Sequence, residues 1–464
     1  MQVHTNTSPL FNFHGYGMYR SARNPSLLEP DLPYGEDLLQ FIWEKRLFDH
    51  HALRTIDGAP IEVLEPGEIQ HNSGPDLSGA QIRIGGQLWA GPVEVHLRSS
   101  EWFAHGHQTD PAYENVILHV VYEHDQEVRT PQGRAIPTIE LFPRISTDSI
   151  ALYRSMMTSG RNVPCAWQIG KLDRGRIDEW LDEVLIGRLD RKASQVIGLH
   201  ERLGGDPLAT FYHLLLQAFG MKTNTEPFGM LAHALPLRIL MKYRDDPLRT
   251  EALLFGQAGL LRTDLIDEYP RRLQGEYELL AHLHDLRPIP SVAWKFGRIR
   301  PVNYPSVRLA QLAKLFTDRE APLIDLLSAM DPDTVHSILD IEAGGYWQDH
   351  YRIDRPTSLK RKHFGRSAAD HVIINALVPW LYAFAQIQGR PALRDRALGL
   401  LAGLPPEKNQ VLDDWASLGL KACTAAKGQA LLELRNLHCH HRKCLTCGIG
   451  SELLQRTSPA RKQV

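Results

Sequence analysis

The spacing of hydrophobic positions changes twice along the chain. Residues 36–49, EDLLQFIWEKRLFD, set Leu38, Leu39, Ile42, Trp43 and Leu47 at helical intervals. From 55 to 145 the runs become short, apolar or alternating: IEVLEPG, AQIRIGG, GPVEVHL, ENVILHVVYEHD and IPTIELF. Gly, Pro, Asn and Asp separate them, which predicts a sheet of about five strands. After Pro143 the helical period returns in RIDEWLDEVLIGRLDRKASQVIGLH, DPLATFYHLLLQAFGM, TEALLFGQAGLL, RLQGEYELLAHLHDL, SVRLAQLAKLF, HVIINALVPWLYAFAQIQ and LLELRNLH. Residues 1–30, rich in Asn, Ser, Pro and Gly, read as an irregular arm. The pattern predicts an α+β protein: an α/β domain over 1–150, then a mostly α-helical domain over 151–464. No internal repeat or low-complexity stretch alters that division.

Composition narrows the classes. The 464 residues suggest about two or three domains. They are 43% hydrophobic and 23% charged, enough apolar material for a sizeable core. A formal charge of −2 gives no global attraction to nucleic acid, so such a partner needs a local basic groove. No uninterrupted apolar run approaches the roughly 20 residues of a membrane span. MQVHTNTSPLFNFHGYG lacks a basic start followed by an apolar core, so no signal peptide is expected. The reading is cytoplasmic, without a membrane partner. Five cysteines, an odd number in a long chain, argue against a disulfide framework.

The chemistry concentrates in the strand region. Side chains alternate along a strand, so Glu94 and His96 share one face of GPVEVHL, and Val93, Val95 and Leu97 share the other. Pro75-Asp76 heads the preceding strand, and the turn at Gly85-Gly86 folds Asp76 back toward Glu94. Two carboxylates at one sheet end suit Mg²⁺ or Mn²⁺, which take oxygen ligands and leave positions open for water and phosphate. Trp102, His105, His107 and Tyr113 follow in a loop, and His119 lies inside the next apolar strand. His96, His105, His107 and His119 offer the alternative of a zinc site. His105, His107 and Tyr113 are otherwise candidates for substrate contact.

Pro75-Asp76 followed by Glu94-Val95-His96 resembles the PD-(D/E)XK nuclease superfamily. The resemblance implies a restriction-endonuclease-like α/β domain with a mixed sheet. It also implies Asp76 and Glu94 as Mg²⁺ ligands and an acid from the preceding helix, Glu36 or Glu44, completing the catalytic set. His96 stands where lysine is usual; protonated it would supply positive charge, neutral it would act as a base. Longer strings, HNSGPDLSGAQIRI, GPVEVHLRSSEWFAHGHQTDPAYENVILHVVYEHD, LFGQAGLL, RIRPVNYPSVRLAQLA and CLTCGIG, resemble the bacterial family called domain of unknown function 2851, which implies no activity.

Two later segments carry further candidates. Residues 294–314 interleave Lys295, Arg298, Arg300 and Arg308 with Trp294, Phe296 and Tyr304, a composition suited to an interdomain seam or to nucleic acid. SLKRKHFGR, residues 358–366, is the densest basic run, and Lys360, Arg361 and Lys362 are its candidates for phosphate. Near the C-terminus Cys439-x4-Cys444-x2-Cys447 gathers three thiols. Zinc or an iron–sulfur cluster is expected there, with Cys165, His438 or His441 as the fourth ligand. The expected function is metal-dependent hydrolysis of phosphodiester bonds in DNA or RNA. A non-catalytic nucleic-acid- or protein-binding scaffold and a zinc-dependent hydrolase built on the histidines are the alternatives.

Overall fold

The computed structural model describes residues 35–70, 73–261 and 264–457; the arm expected over 1–30 lies outside them. The fold is mixed, more than half helical, with a curled mixed sheet near the N-terminus. It divides into two compact units, one reaching Arg154 and joined by the stretch from Thr457, the other running from Ser155 to Arg456.

The first unit is built on six strands: β1 (Ile61–Glu65), β2 (Glu68–Ile69), β3 (Leu77–Ile84), β4 (Gln87–Arg98), β5 (Leu118–Glu123) and β6 (Thr138–Glu140). Their order is β1-β3-β4-β5-β6, with β2 pairing beside β1 on β3. β3 and β4 form an antiparallel hairpin, whereas β4–β5 and β5–β6 are parallel. A parallel neighbour needs a crossover; here it holds the short helix α2 (Glu101–Ala104) and a 3₁₀ turn at Pro111–Tyr113. Helix α1 (Glu36–Glu44) buries Leu38, Leu39, Phe41, Ile42 and Trp43, the stripe its sequence spacing predicts. The Trp43 indole N–H donates to the Pro66 carbonyl at 2.9 Å, fixing α1 to the strand region.

In β4 the strict alternation of exposed and buried positions fails where it matters. Val93, Glu94, Val95 and His96 are all buried, so both faces are covered there. One face meets apolar core; the other is the polar site described below.

The second unit is helical, with long elements such as Arg174–Arg202, Pro207–Phe219 and Glu268–His284. The run Arg366–Gln388 is long and apolar enough to span a membrane, which corrects the expectation that no such run exists; 83% of its apolar window is buried inside the protein. It contains a π-helical turn at Ile373–Leu377, and a second occurs at Leu434–Cys439.

Candidate functional site

The site forms where β3, β4 and β5 meet α1 and the crossover. The β3–β4 register pairs Leu77 with Val93, which brings Asp76 level with Glu94. The two residues then lock each other. The Asp76 backbone N–H donates to Glu94 Oε2 at 3.0 Å, and the Val95 N–H donates to Asp76 Oδ2 at 3.0 Å. The β4–β5 register sets Glu94 beside His119. From there His119 Nε2 meets His96 Nδ1 at 2.8 Å.

The crossover supplies the other imidazoles. Glu101 accepts from the Leu97 and Arg98 N–H groups at 3.0 and 3.1 Å and turns the chain sharply off β4. Gly106 then adopts φ +81°, a left-handed conformation that glycine takes without steric cost, and this turns His105 and His107 toward the same point. Trp102, fully buried, meets His96, His107, Tyr113 and His119 with ring centroids 5.3–6.5 Å away. Tyr113 stacks on His107 at 3.8 Å.

Three imidazole nitrogens converge, with a Glu94 oxygen beside two of them. His96 Nε2 lies 3.1 Å from His105 Nδ1 and 3.6 Å from Glu94 Oε1. His107 Nε2 lies 3.2 Å from the same Glu94 oxygen but is not aligned for a hydrogen bond to it. The ligand atoms of His96, His105 and His107 all fall within 4.8 Å of one another. Ligands held about 2.0–2.1 Å from a tetrahedral ion stand roughly 3.3–3.4 Å apart, and the His96–His105 pair is near that spacing. His105 is exposed while its partners are buried, which leaves one side open.

The charges around this point are unbalanced. Burial and the Glu94 carboxylate push Asp76 up to about 7, against the hydrogen bonds from Val95 and Gln40. Glu36, in the first turn of α1, is pushed up to about 8 by burial and by Glu101, Asp76 and Glu94. Burial and the same acids push the Tyr113 phenol up to about 12. His96 and His119 stay neutral. Burial and neighbouring imidazoles push His96 down to about 2, and burial with His107 and His124 pushes His119 down to about 3. A neutral His96 offers a lone pair to a metal and cannot supply the fixed positive charge expected of a lysine replacement.

The expected residues therefore part company. Asp76, Glu94, His96, His105, His107 and Tyr113 come together. Glu44 does not: it sits at the far end of α1 with its carboxylate on Lys45 at 3.2 Å, and Glu36 occupies the place beside the acids. Lys362 is no surface cation. It is buried, donates to the Gln348 carbonyl at 2.7 Å and lies over the Tyr351 ring; Lys360 and Arg361 remain exposed. Arg308 is likewise interior, bonded to Gln311 and Asn303 and packed on Phe364 within the helical unit. Cations gather instead around a cavity of about 1070 Å³ in that unit, lined by Arg188, Lys192, Arg202, Lys222 and Lys408. Three are spread along the one helix Arg174–Arg202 and two lie in loops far away in sequence, so no local basic run announces them. Gln40 and Glu101 were also missed. The signal for Gln40 was its position one turn after Glu36 on the same helix face.

No curated protein and no solved structure matches the chain. One family model does, over residues 36–410, a span that takes in every residue of this site and Cys165 but stops before Cys439. That family is described as a protein of unknown function (DUF2851), and the chain belongs to it.

Proposed function

We propose that the protein is a metal-dependent hydrolase of phosphodiester bonds in nucleic acid, working with a transition-metal ion held by His96, His105, His107 and Glu94. The observation that carries the reading is the convergence of the His96, His105 and His107 ligand nitrogens within 4.8 Å of one another, with a Glu94 oxygen 3.6 Å from His96 and 3.2 Å from His107. The contact between His107 Nε2 and Glu94 Oε1 supports it: the buried nitrogen lies 3.2 Å from the carboxylate oxygen yet has no hydrogen-bond partner, which a metal ligand would not need. His119 holds the far nitrogen of His96, as a supporting residue behind a metal-bound histidine does. A bound ion would polarise a phosphoryl oxygen and acidify an attacking water.

The chain's own groups handle the protons. Asp76 and Glu36, at about 7 and about 8 before a metal binds, are the groups beside the site that can take and return protons. One takes the proton of the attacking water; the other returns one to the leaving oxygen. Tyr113 stays protonated and donates a hydrogen bond. What favours phosphodiesters is the resemblance to PD-(D/E)XK nucleases. An acid on a preceding helix, Asp76 and Glu94 on an antiparallel hairpin, and a parallel strand beyond a crossover follow that order. The departure is a nitrogen-rich site, which shifts preference from Mg²⁺ toward Mn²⁺ or Zn²⁺.

The test is metal analysis of the full-length protein, followed by cleavage of single- and double-stranded DNA and RNA with Mn²⁺, Zn²⁺ or Mg²⁺ added. Mn²⁺ or Zn²⁺ should support cleavage, and Glu94→Gln and His105→Ala should each lose both metal and cleavage. Metal-loaded protein that leaves every nucleic acid intact refutes the substrate. Full cleavage with Mg²⁺ alone, unchanged in His105→Ala, refutes the histidine site.

A further inference from the structure

The helical unit brings together four cysteines that the hydrolytic site does not use. Cys165, Cys439, Cys444 and Cys447 are each buried, while Cys423 is exposed and apart. Cys165 comes from the segment before the long helix Arg174–Arg202; the other three come from a stretch that starts at the end of a π-helical turn. Arginines tie the two segments together. Arg435 donates to the Asn162 carbonyl at 2.5 Å, and Arg442 donates to the carbonyls of Arg161, at 3.2 Å, and Ser159. Gly450 presses against the loop from the other side: a Cβ there would meet the Cys444 carbonyl oxygen at 2.2 Å, so only glycine fits.

We infer that Cys165, Cys439, Cys444 and Cys447 are the four ligands of an iron–sulfur cluster in the helical unit. Spacing is the first argument. C-x4-C-x2-C with one distant cysteine is the ligand pattern of plant-type iron–sulfur sites, here with the distant cysteine first. Distance is the second. A single zinc with bonds of about 2.3 Å draws its sulfurs to within roughly 3.8 Å of each other. Among the described residues, no three of these sulfurs fall within 4.8 Å of one another. A two-iron cluster holds its cysteines in pairs and a four-iron cluster one per iron, so in neither do three sulfurs crowd around one metal.

The surroundings are the third argument. The four thiols crowd together: Cys165 lies within electrostatic reach of Cys447, Cys439 and Cys444, and Cys439 within that of Cys447 and Cys444. Yet the same pocket supplies groups that favour thiolates. Arg435 and Arg442 act on Cys439. The N–H groups of Ile449 and Gly450, at the start of the helix Gly448–Gln455, act on Cys447. The buried Trp180 indole N–H, which lacks a full hydrogen bond of its own, favours the same sulfur. Donors aimed at cysteine sulfur are the means by which proteins set the properties of such clusters. The four cysteines belong to the second unit and the histidine–carboxylate residues to the first, and the cluster's role is to fasten the start of the helical unit to its end.

The experiment uses the full chain, purified without oxygen and then incubated anaerobically with ferrous iron and sulfide. Iron and acid-labile sulfide should appear in equal amounts, at about two or about four per chain, with a broad visible absorption. Cys423→Ser should keep that absorption, and Cys165→Ser should lose it. The wild type decides the matter even if Cys165→Ser does not fold. Stoichiometric zinc without sulfide, or no uptake of iron and sulfide, overturns the assignment.

Discussion

Asp76→Asn should stabilise the metal-free protein, and only at the pH where the carboxyl would otherwise be charged. Burial and the Glu94 carboxylate raise the native Asp76 from 3.8 to about 7. Between those values the native state holds a proton that the unfolded chain has released, so stability falls as pH rises through the window. Above about pH 7 the cost is complete, roughly 4 kcal/mol from the size of the shift. Asp76 is only half-buried, and solvent screening reduces this to about 2 kcal/mol. The asparagine oxygen can still accept from the Val95 N–H, so the bond that anchors the residue survives. For a unit of this size the gain corresponds to a rise in Tm of about 4–8 °C at pH 8. At pH 5 about a third of it should remain, because that pH lies near the start of the window. The buried neutral His96 and His119 act in the opposite sense, costing stability as pH falls below 6.5, but they cancel when variant and wild type are compared at one pH. The assay is thermal unfolding in chelator at both pH values. A gain of the same size at pH 5 and pH 8, or a loss at pH 8, would refute the electrostatic account. Added Mn²⁺ or Zn²⁺ should abolish the gain, since a bound cation relieves the charge that the substitution removes.

Three further outcomes follow from the same geometry. His119→Ala removes the partner of His96 Nδ1 and should weaken metal binding about 10–100-fold by calorimetric titration, with His96 itself intact. Metal affinity should rise between pH 6 and pH 8 as Asp76 and Glu36 lose protons, and binding at pH 7 should release protons measurable in a weakly buffered solution; a pH-independent affinity would contradict this. Gly106→Ala forces a side chain into φ +81° and should cost about 1 kcal/mol or more of stability together with metal affinity, because His105 and His107 flank the turn.

Much of this was legible in the sequence for specific reasons. Short runs, either continuously apolar or alternating, located β1, β3, β4, β5 and β6, since at least one face of each had to be apolar. The short β2, Glu68–Ile69, was lost because two residues carry no period. Pairing Asp76 with Glu94 followed from the Gly85-Gly86 turn, which fixes a hairpin register. Spacing could not say that Glu36 rather than Glu44 faces those acids. The two lie eight residues apart on α1, and only the way that helix packs on the strands decides between them. Lys362 misled for the opposite reason. A basic run reads as solvated, but one of its lysines turned inward to satisfy backbone carbonyls.

The neutrality of His96 decides what the site can be. With a lysine at that position, Asp76 and Glu94 would face a permanent cation, their charge would be balanced without metal, and oxygen ligands alone would select Mg²⁺. With a neutral imidazole the carboxylates lack that balance, which is why Asp76 and Glu36 hold protons near pH 7 in the metal-free protein. His96 offers one nitrogen donor, and the crossover adds two more from His105 and His107. A neutral imidazole at 96 thus leaves the carboxylates without an internal cation and stands with two further imidazoles where the proposed ion would bind. The two effects belong together: a lysine placed at 96 would compete with the ion for the same carboxylates, so His96→Lys should expel the metal, whereas a structural histidine at this place would leave metal content unchanged.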